Sequence, residues 1–473
     1  MLIKRHLLAT AILGTTLFAG ASHADTLLDV YELAVKNDPQ LKAAEATYRA
    51  NSEAENLSRA ALLPQISGQA YIQQLDSTAN SKTVTVTSGA FGSTSTSIID
   101  QETKSDTDTT GYAISLNQAL FDLPAWFNFK AGKKLNEQAE AQLAYDQQSL
   151  IVRVAEAYFN VLRAQENLNA SLSEERAGKR QLEQTQQRFD VGLIAITDVH
   201  EARAVYDGIV AQRLGFEGQL AIAQENLSIL TGQNHNQLWN LKASFPVTLP
   251  APENRAEWVD FALQNNNQLK VALAGSDAAY QSAKSKKMEH LPKISGSFSY
   301  SNDETDGTRT FAPQGFASVP PESDSESEVL KFTLSMPLFA GGAVSASRRQ
   351  ALGNYHAAQS QLQLTQRQVV TGTRAQHIAV STDVQTVKAR QLNTVSARSA
   401  LDATEAGYEV GTRNIVEVLD AQRRLFAALR DYSNSRYDYV IDVLKLKLNA
   451  GTLSPNDIIE LNKWLEAEKI KQG

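Results

Sequence analysis

The chain predicts an α+β membrane protein built from two tandem copies of one unit. Three observations carry that expectation: a long internal duplication, four segments of period-two polarity, and two very long helical stretches of heptad periodicity. The duplication is the strongest. Asn37-Asp38-Pro39-Gln40-Leu41-Lys42 returns at Asn265 through Lys270, and Leu63-Pro64-Gln65-Ile66-Ser67-Gly68 returns as Leu291-Pro292-Lys293-Ile294-Ser295-Gly296, both at an offset of 228. Further on, Arg188-Phe189-Asp190-Val191-Gly192 with Ile196-Thr197-Asp198-Val199 matches Gly407-Tyr408-Glu409-Val410-Gly411 with Ile415-Val416-Glu417-Val418, now at an offset of 219. The second copy has therefore lost about nine residues between the proline and glycine landmarks.

Residues 1–24 read as an export signal. Lys4, Arg5 and His6 precede an apolar run from Leu7 to Phe18, and Ser22-His23-Ala24 supplies small residues at a cleavage site, so the mature chain is expected to start at Asp25. No cysteine is present, which excludes disulfides and a lipid-modified N-terminal cysteine. The formal charge is -7 and falls to about -9 without Lys4 and Arg5, which argues against a nucleic-acid partner. No segment after the signal has the run of about 18 to 20 apolar residues that a membrane-spanning helix needs.

Four segments alternate instead. Ile66, Gly68, Ala70 and Ile72 alternate with Ser67, Gln69, Tyr71 and Gln73, and Tyr112, Ile114 and Leu116 alternate with Ala113, Ser115 and Asn117. Ile294, Phe298 and Tyr300 stand against Ser295, Ser297 and Ser299, and Leu330, Phe332, Leu334 and Met336 against Lys331, Thr333 and Ser335. These predict strands at 63–75, 110–121, 292–302 and 329–339, each with one apolar and one polar face. Alternation alone fits half-buried hairpins in a soluble sheet as well as the wall of a membrane barrel. The intervening stretches, 76–109 and 303–328, are rich in Ser, Thr, Asp and Gly and read as long outer loops, which favours the barrel. Four strands cannot close one, since about eight are needed, so copies must associate; three would supply twelve.

The rest is helical. Leu143, Leu150, Ala157 and Ala164 repeat every seven residues beside Val154, Val161 and Leu168, within a proline-free stretch from Lys130 to Phe189. A strict heptad imposes a left-handed supercoil, and about sixty such residues reach on the order of 90 Å. The second copy repeats the pattern from Val344 to Gly407, with Leu362, Val369, Val380, Val384 and Val387 on its apolar positions. Partner helices are expected at 196–231 and 414–449. Abundant Ala and Gln suit a hollow assembly, although a solid coiled-coil bundle satisfies the same pattern.

Leu62-Leu63-Pro64-Gln65, Ala157-Tyr158-Phe159-Asn160-Val161-Leu162, Gln187-Arg188-Phe189 through Asp198-Val199, and Ala406-Gly407-Tyr408 through Val418-Leu419-Asp420-Ala421 resemble the TolC family of outer-membrane efflux and export channels. The resemblance covers about Asp25 to Leu461. It implies a homotrimer with a twelve-stranded β-barrel in the outer membrane, four strands per chain, continued by a long periplasmic α-helical barrel. The expected domains are 1–24, the signal peptide; 25–245, the first repeat with its hairpin at 130–231; and 246–451, the second repeat with its hairpin at 344–449. Residues 452–473 form a C-terminal equatorial segment, which the resemblance joins to residues near 232 to 255. Pro64, Pro124, Pro292 and Pro337 fall where strands meet helices, and proline there redirects the chain because it fixes φ and lacks a ladder donor.

By the same resemblance, the turns near Gly192 and Gly411 form the periplasmic tip. Tyr408 and Arg413 match gate residues that hydrogen-bond Asp198 and Thr197 of the neighbouring hairpin, with Gln187 as a further partner. The first copy has Ile194 where the second has Arg413, so only one hairpin of each pair supplies the guanidinium fork. A solvated surface pair is the alternative for Arg413 and Asp198. Glu417 and Asp420 share a helix face and match acidic constriction rings, with Glu417 standing where the family more often has Asp. Dipole partners in a first helical turn are the alternative for these two.

The resemblance thus implies an exit duct of tripartite efflux or type I secretion systems. Its partners would be an inner-membrane efflux pump or ABC-type exporter, a periplasmic adaptor and outer-membrane lipids. A periplasmic adaptor protein is the alternative, but would have one hairpin between halves of a lipoyl-like domain. No enzyme, cofactor or metal is expected. The chain lacks zinc-protease, Walker, nucleophile-elbow and dinucleotide motifs, and His200 beside Glu201 has no second histidine at i+4.

Overall fold

The structure, a computed structural model, describes residues 25–312 and 320–467; the expected signal peptide lies outside them. In chain order the elements are α1 (Leu27–Asn37), α2 (Pro39–Ala60), β1 (Gln65–Ser88), β2 (Thr94–Phe121), α3 (Leu123–Asp190), α4 (Ile196–Thr231) and β3 (Asn240–Leu241). There follow α5 (Arg255–Asn265), α6 (Asn267–Met288), β4 (Lys293–Ala312), β5 (Ser323–Ser335), α7 (Ala343–Glu409), α8 (Ile415–Ala450), α9 (Pro455–Asn462) and β6 (Leu465–Glu466). The second half repeats the helix-helix-strand-strand-helix-helix order of the first. Two compact units result, one made of residues up to Ala46, Leu143–Asn267 and the chain from Gln366, the other of Thr47–Gln142 and Gln268–Thr365.

The first unit is helical and holds the apolar core. Thr26 caps α1 in a capping box with Asp29, and Leu27, Val30 and Ala34 form its buried stripe. Asp38 ends α1 and starts α2: its carboxylate accepts from the Leu41 N–H at 3.0 Å and from Arg153 at 2.7 Å. The second repeat has Asn266 at the matching place, where its amide donates to the Asn449 carbonyl at 2.9 Å. Heptad residues Leu150, Val154 and Val161 pack with Tyr158, Phe159 and Leu162 of α3, Val380 and Val384 of α7, and Tyr437 and Leu444 of α8. The Tyr158 hydroxyl, deep in this core, donates to the Trp239 carbonyl at 2.8 Å. Behind it, β3 pairs with β6, and α9 buries Ile458 and Leu461, so the residues after Gly451 fold back onto the segment that follows α4.

The second unit contains a four-stranded antiparallel sheet in the order β1-β2-β4-β5. Register fixes its faces, because directly paired residues point the same way. Ile66 pairs with Leu116, Leu116 with Phe298 and Phe298 with Leu330, so one apolar row crosses all four strands. One residue along, Ser67, Ser115, Ser299 and Val329 form the row on the opposite face. Pro64 and Pro292 immediately precede β1 and β4, and Pro337 follows β5. Pro124 lies in the first turn of α3, which Asp122 caps through the Ala125 N–H at 2.9 Å.

The strands are longer than their alternation predicts: most of 76–109, and of the described part of 303–328, is strand rather than loop, while residues 313–319 of the second expected loop lie outside the described residues. The β1–β2 ladder runs unbroken to Ser88 opposite Thr94, and β4 reaches Ala312. From Asp76 to Lys82 both faces are polar, so the period-two hydrophobic signal fades, to return at Val84 and Val86, where Val84 pairs with Ile98, while the ladder continues throughout. Thr-rich cross-strand contacts sustain it, such as Thr83 to Gln101 at 2.7 Å and Thr109 with Thr305 at 3.1 Å.

Candidate functional site: the two hairpin turns

Each long hairpin turns through the same backbone motif. At the first turn Gly192 N–H donates to Phe189 O at 2.8 Å and Leu193 N–H to Arg188 O at 2.9 Å. At the second, Gly411 N–H donates to Tyr408 O at 3.1 Å and Thr412 N–H to Gly407 O at 2.9 Å. Gly192 and Gly411 adopt φ of 75° and 78°, the left-handed conformation that such helix ends need and glycine supplies without steric cost. The 219-residue offset therefore holds down to individual hydrogen bonds.

Side chains break the symmetry. Asn414 caps α8 by accepting from the Glu417 N–H at 2.9 Å, whereas Ala195 at the start of α4 has no side-chain cap. Arg413 Nη1 donates to Glu417 Oε2 at 2.5 Å, an i,i+4 pair on its own helix. Asp420 receives Arg424 at 2.9 Å and also Arg423. The two carboxylates lie one turn apart on α8, and each already has an arginine beside it.

Among the described residues, no hydrogen bond joins Tyr408 or Arg413 to Asp198 or Thr197 within the chain. Tyr408 instead lies under Arg188, whose guanidinium carbon is 4.7 Å from the ring centroid. Gln187 and Thr197 are exposed, Asp198 is half-buried in the first turn of α4, and the Arg413 side chain is 60% exposed. A cleft of about 700 Å³ separates the ends of α3 and α7, lined by Gln181, Gln187, Arg188, Glu405, Tyr408 and Gln422. Gln422 crosses from α8 to Glu405 on α7 at 3.2 Å. The arginine under which Tyr408 sits was missed by the sequence reading, although a cation beside an aromatic at repeat-related turns was a usable signal.

His200 is exposed beside Glu201, and no group of metal-ligating side chains occurs among the described residues. No described helix is long and apolar enough to cross a membrane.

Comparison with known proteins agrees with this architecture. The family model described as outer membrane efflux protein matches residues 30–233 and 258–452, so the two matches start 228 residues apart (258 against 30) and end 219 apart (452 against 233). These are the two offsets of the internal duplication. The outer membrane protein TolC of Vibrio cholerae serotype O1 is 36% identical over 465 residues, covering 98% of each chain. The proteases secretion protein PrtF of Dickeya chrysanthemi is 28% identical, covering 99% of this chain and 96% of that one. The CmeC outer membrane channel of Campylobacter jejuni superposes with a TM-score of 0.69 at 19% identity, over 93% of this chain and 90% of its own. With both repeats matched in register, the chain belongs to the outer membrane efflux protein family, the family of TolC.

Proposed function

We propose that the chain is the outer-membrane exit duct of a tripartite efflux or type I secretion system, assembled as a trimer. The observation that carries this reading is the sheet. Its apolar row, Ile66–Leu116–Phe298–Leu330, suits lipid, and its serine-rich row suits a water-filled lumen. Its edges, β1 and β5, have no strand beyond them among the described residues, and such long edges are stable in a membrane only when paired. Three sheets joined β1 to β5 make a closed twelve-stranded barrel. Leu214, Ile222 and Ile229 on α4 and Leu392 and Val395 on α7 are exposed in the single chain, which further favours association. A relative named as a protease secretion protein supports protein export alongside efflux, and an adaptor and an inner-membrane transporter follow as partners.

The hairpin turns would then form the periplasmic gate. In a trimer the exposed guanidinium of Arg413 has donors to spare beyond Glu417 and is the group to reach Asp198 or Thr197 of an adjoining hairpin, with Gln187 beside it. Glu417 and Asp420 would each become a ring of three carboxylates, partly neutralised by Arg413, Arg423 and Arg424. No covalent step is involved: the duct opens when docking partners favour the open population. Planar-bilayer recording tests the reading. The purified protein should form a channel of low resting conductance, and protein that inserts but never conducts contradicts it.

A further inference from the structure

Above the turn, α3, α4 and α8 enclose a second cavity of about 350 Å³. Its apolar wall is Val205 and Ile209 of α4 with Val416 and Leu419 of α8. Glu174 of α3 lines it, only 9% exposed, and among the described residues no side chain forms an ion pair or hydrogen bond with that carboxylate. Its neighbour Glu175, by contrast, is bound to Arg213 at 2.7 Å. The two other charged groups in the lining, Asp420 and Arg423, bind each other. The Glu174 carboxylate is thus left without a direct partner in a cavity whose lining is half apolar. Burial raises the Glu174 carboxyl above the ordinary carboxylate range, while Arg430 and Arg423 act in the opposite sense.

A buried carboxylate without a partner is costly, and either an added proton or a bound cation relieves that cost; the apolar wall beside Glu174 favours a cation that carries an apolar body. A bare divalent ion is a poor fit, because it takes six or more oxygens and Asp420 is already engaged by arginines. We propose that this cavity binds a small organic monocation, an amidinium or ammonium group on an apolar body, with Glu174 taking the charge and the Val205–Leu419 wall taking the body. The volume lies within the range of small-ligand pockets. Gln212 on the rim supplies an amide to a second N–H of the ligand. Bound there, the ligand ties α3, α4 and α8 together just above the turns. The site rests on this geometry alone and does not depend on the duct reading.

The test is calorimetric titration of the detergent-purified full chain with benzamidinium and with neutral benzamide, which has nearly the same shape. Benzamidinium should bind once per chain and benzamide at least about tenfold more weakly. Glu174→Gln should weaken benzamidinium by at least about tenfold with helicity unchanged, and Glu225→Gln, exposed on α4 and outside the cavity, should leave it unaltered. Gly208→Leu is the second variant: a Cβ at Gly208 meets open space on the cavity wall, so the larger side chain should fill it and abolish binding without touching the carboxylate. Equal binding of the two probes, or benzamidinium affinity unchanged in both Glu174→Gln and Gly208→Leu, overturns the proposal.

Discussion

Arg188 stacks its guanidinium 4.7 Å over the ring of Tyr408, joining α3 to α7 at their C-terminal ends. The duplication makes this contact singular, since the repeat places Phe189 opposite Tyr408 and Gly407 opposite Arg188. The tyrosine expected to act through its hydroxyl therefore also acts through its face.

That arrangement separates two variants. Tyr408→Phe keeps an aromatic face under Arg188 and so retains the helix contact, whereas Arg188→Ala removes it, a loss of about 0.5 to 2 kcal/mol. Combining Tyr408→Phe with Arg413→Ser removes hydrogen-bond donors without adding bulk. Single-channel recording of this double variant should show conductance several-fold above the parent with the oligomer intact. Parental conductance would make Tyr408 and Arg413 ordinary surface residues.

Charge at the start of α8 is the second point. Arg413 sits 2.5 Å from Glu417, so Arg413→Ser should unmask Glu417 and increase cation selectivity in bilayer reversal potentials. Glu417→Ala with Asp420→Ala should lower selectivity and weaken block by trivalent cations. Opposite signs in these two variants place the carboxylates in the pore; no change in either places them outside it.

The corner between α1 and α2 offers a stability test. Asp38 is 1% exposed and held by Arg153 at 2.7 Å. Arg153→Met leaves that carboxylate buried without its partner and should cost about 3 to 5 kcal/mol in thermal or denaturant unfolding. Asp38→Asn in the same chain should recover part of the loss, because asparagine caps a helix and already occupies the equivalent corner as Asn266.

The pH dependence follows from Asp383 on α7. Burial, then the charge and hydrogen bond of Asp442 on α8, then the charge of Asp438, push its carboxyl up from 3.8 to about 7. Asp438 itself is paired with Arg163, and one Asp383 oxygen is buried without a partner. Between pH 4 and pH 7 the folded chain thus binds a proton that the unfolded chain does not, so stability falls as pH rises through that window and levels off above it. Asp383→Asn should raise the melting temperature by a few degrees at pH 8 and be near neutral at about pH 3, where the carboxyl is mostly protonated in both states. An equal shift at both pH values would mean that no proton is held there.

How much of this could be read from the chain depended on the range of the interactions. The duplication, the glycine turns and the heptads of α3 and α7 are local patterns, and Gly192, Gly411, Val154 and Val380 fall where those patterns put them. The continuity of the upper strands was not legible, because from Asp76 to Lys82 both faces of the ladder are polar and interrupt the periodicity before it returns at Val84 and Val86. Contacts such as Arg188 with Tyr408 or Asp383 with Asp442 join residues far apart in the chain and depend on how the helices rotate against each other. The family resemblance carried over the gate positions but not the Arg413–Glu417 pairing, which arises from the i,i+4 spacing of this chain's longer Glu417.

The unpaired edges of β1 and β5 have one decisive consequence. Native mass measurement of the protein, extracted in detergent from outer membranes without boiling, should give three chains per particle, dissociating on boiling to single chains. A monodisperse single-chain particle that remains inserted in lipid would contradict the account, since four strands with open edges could not then be the wall of a channel.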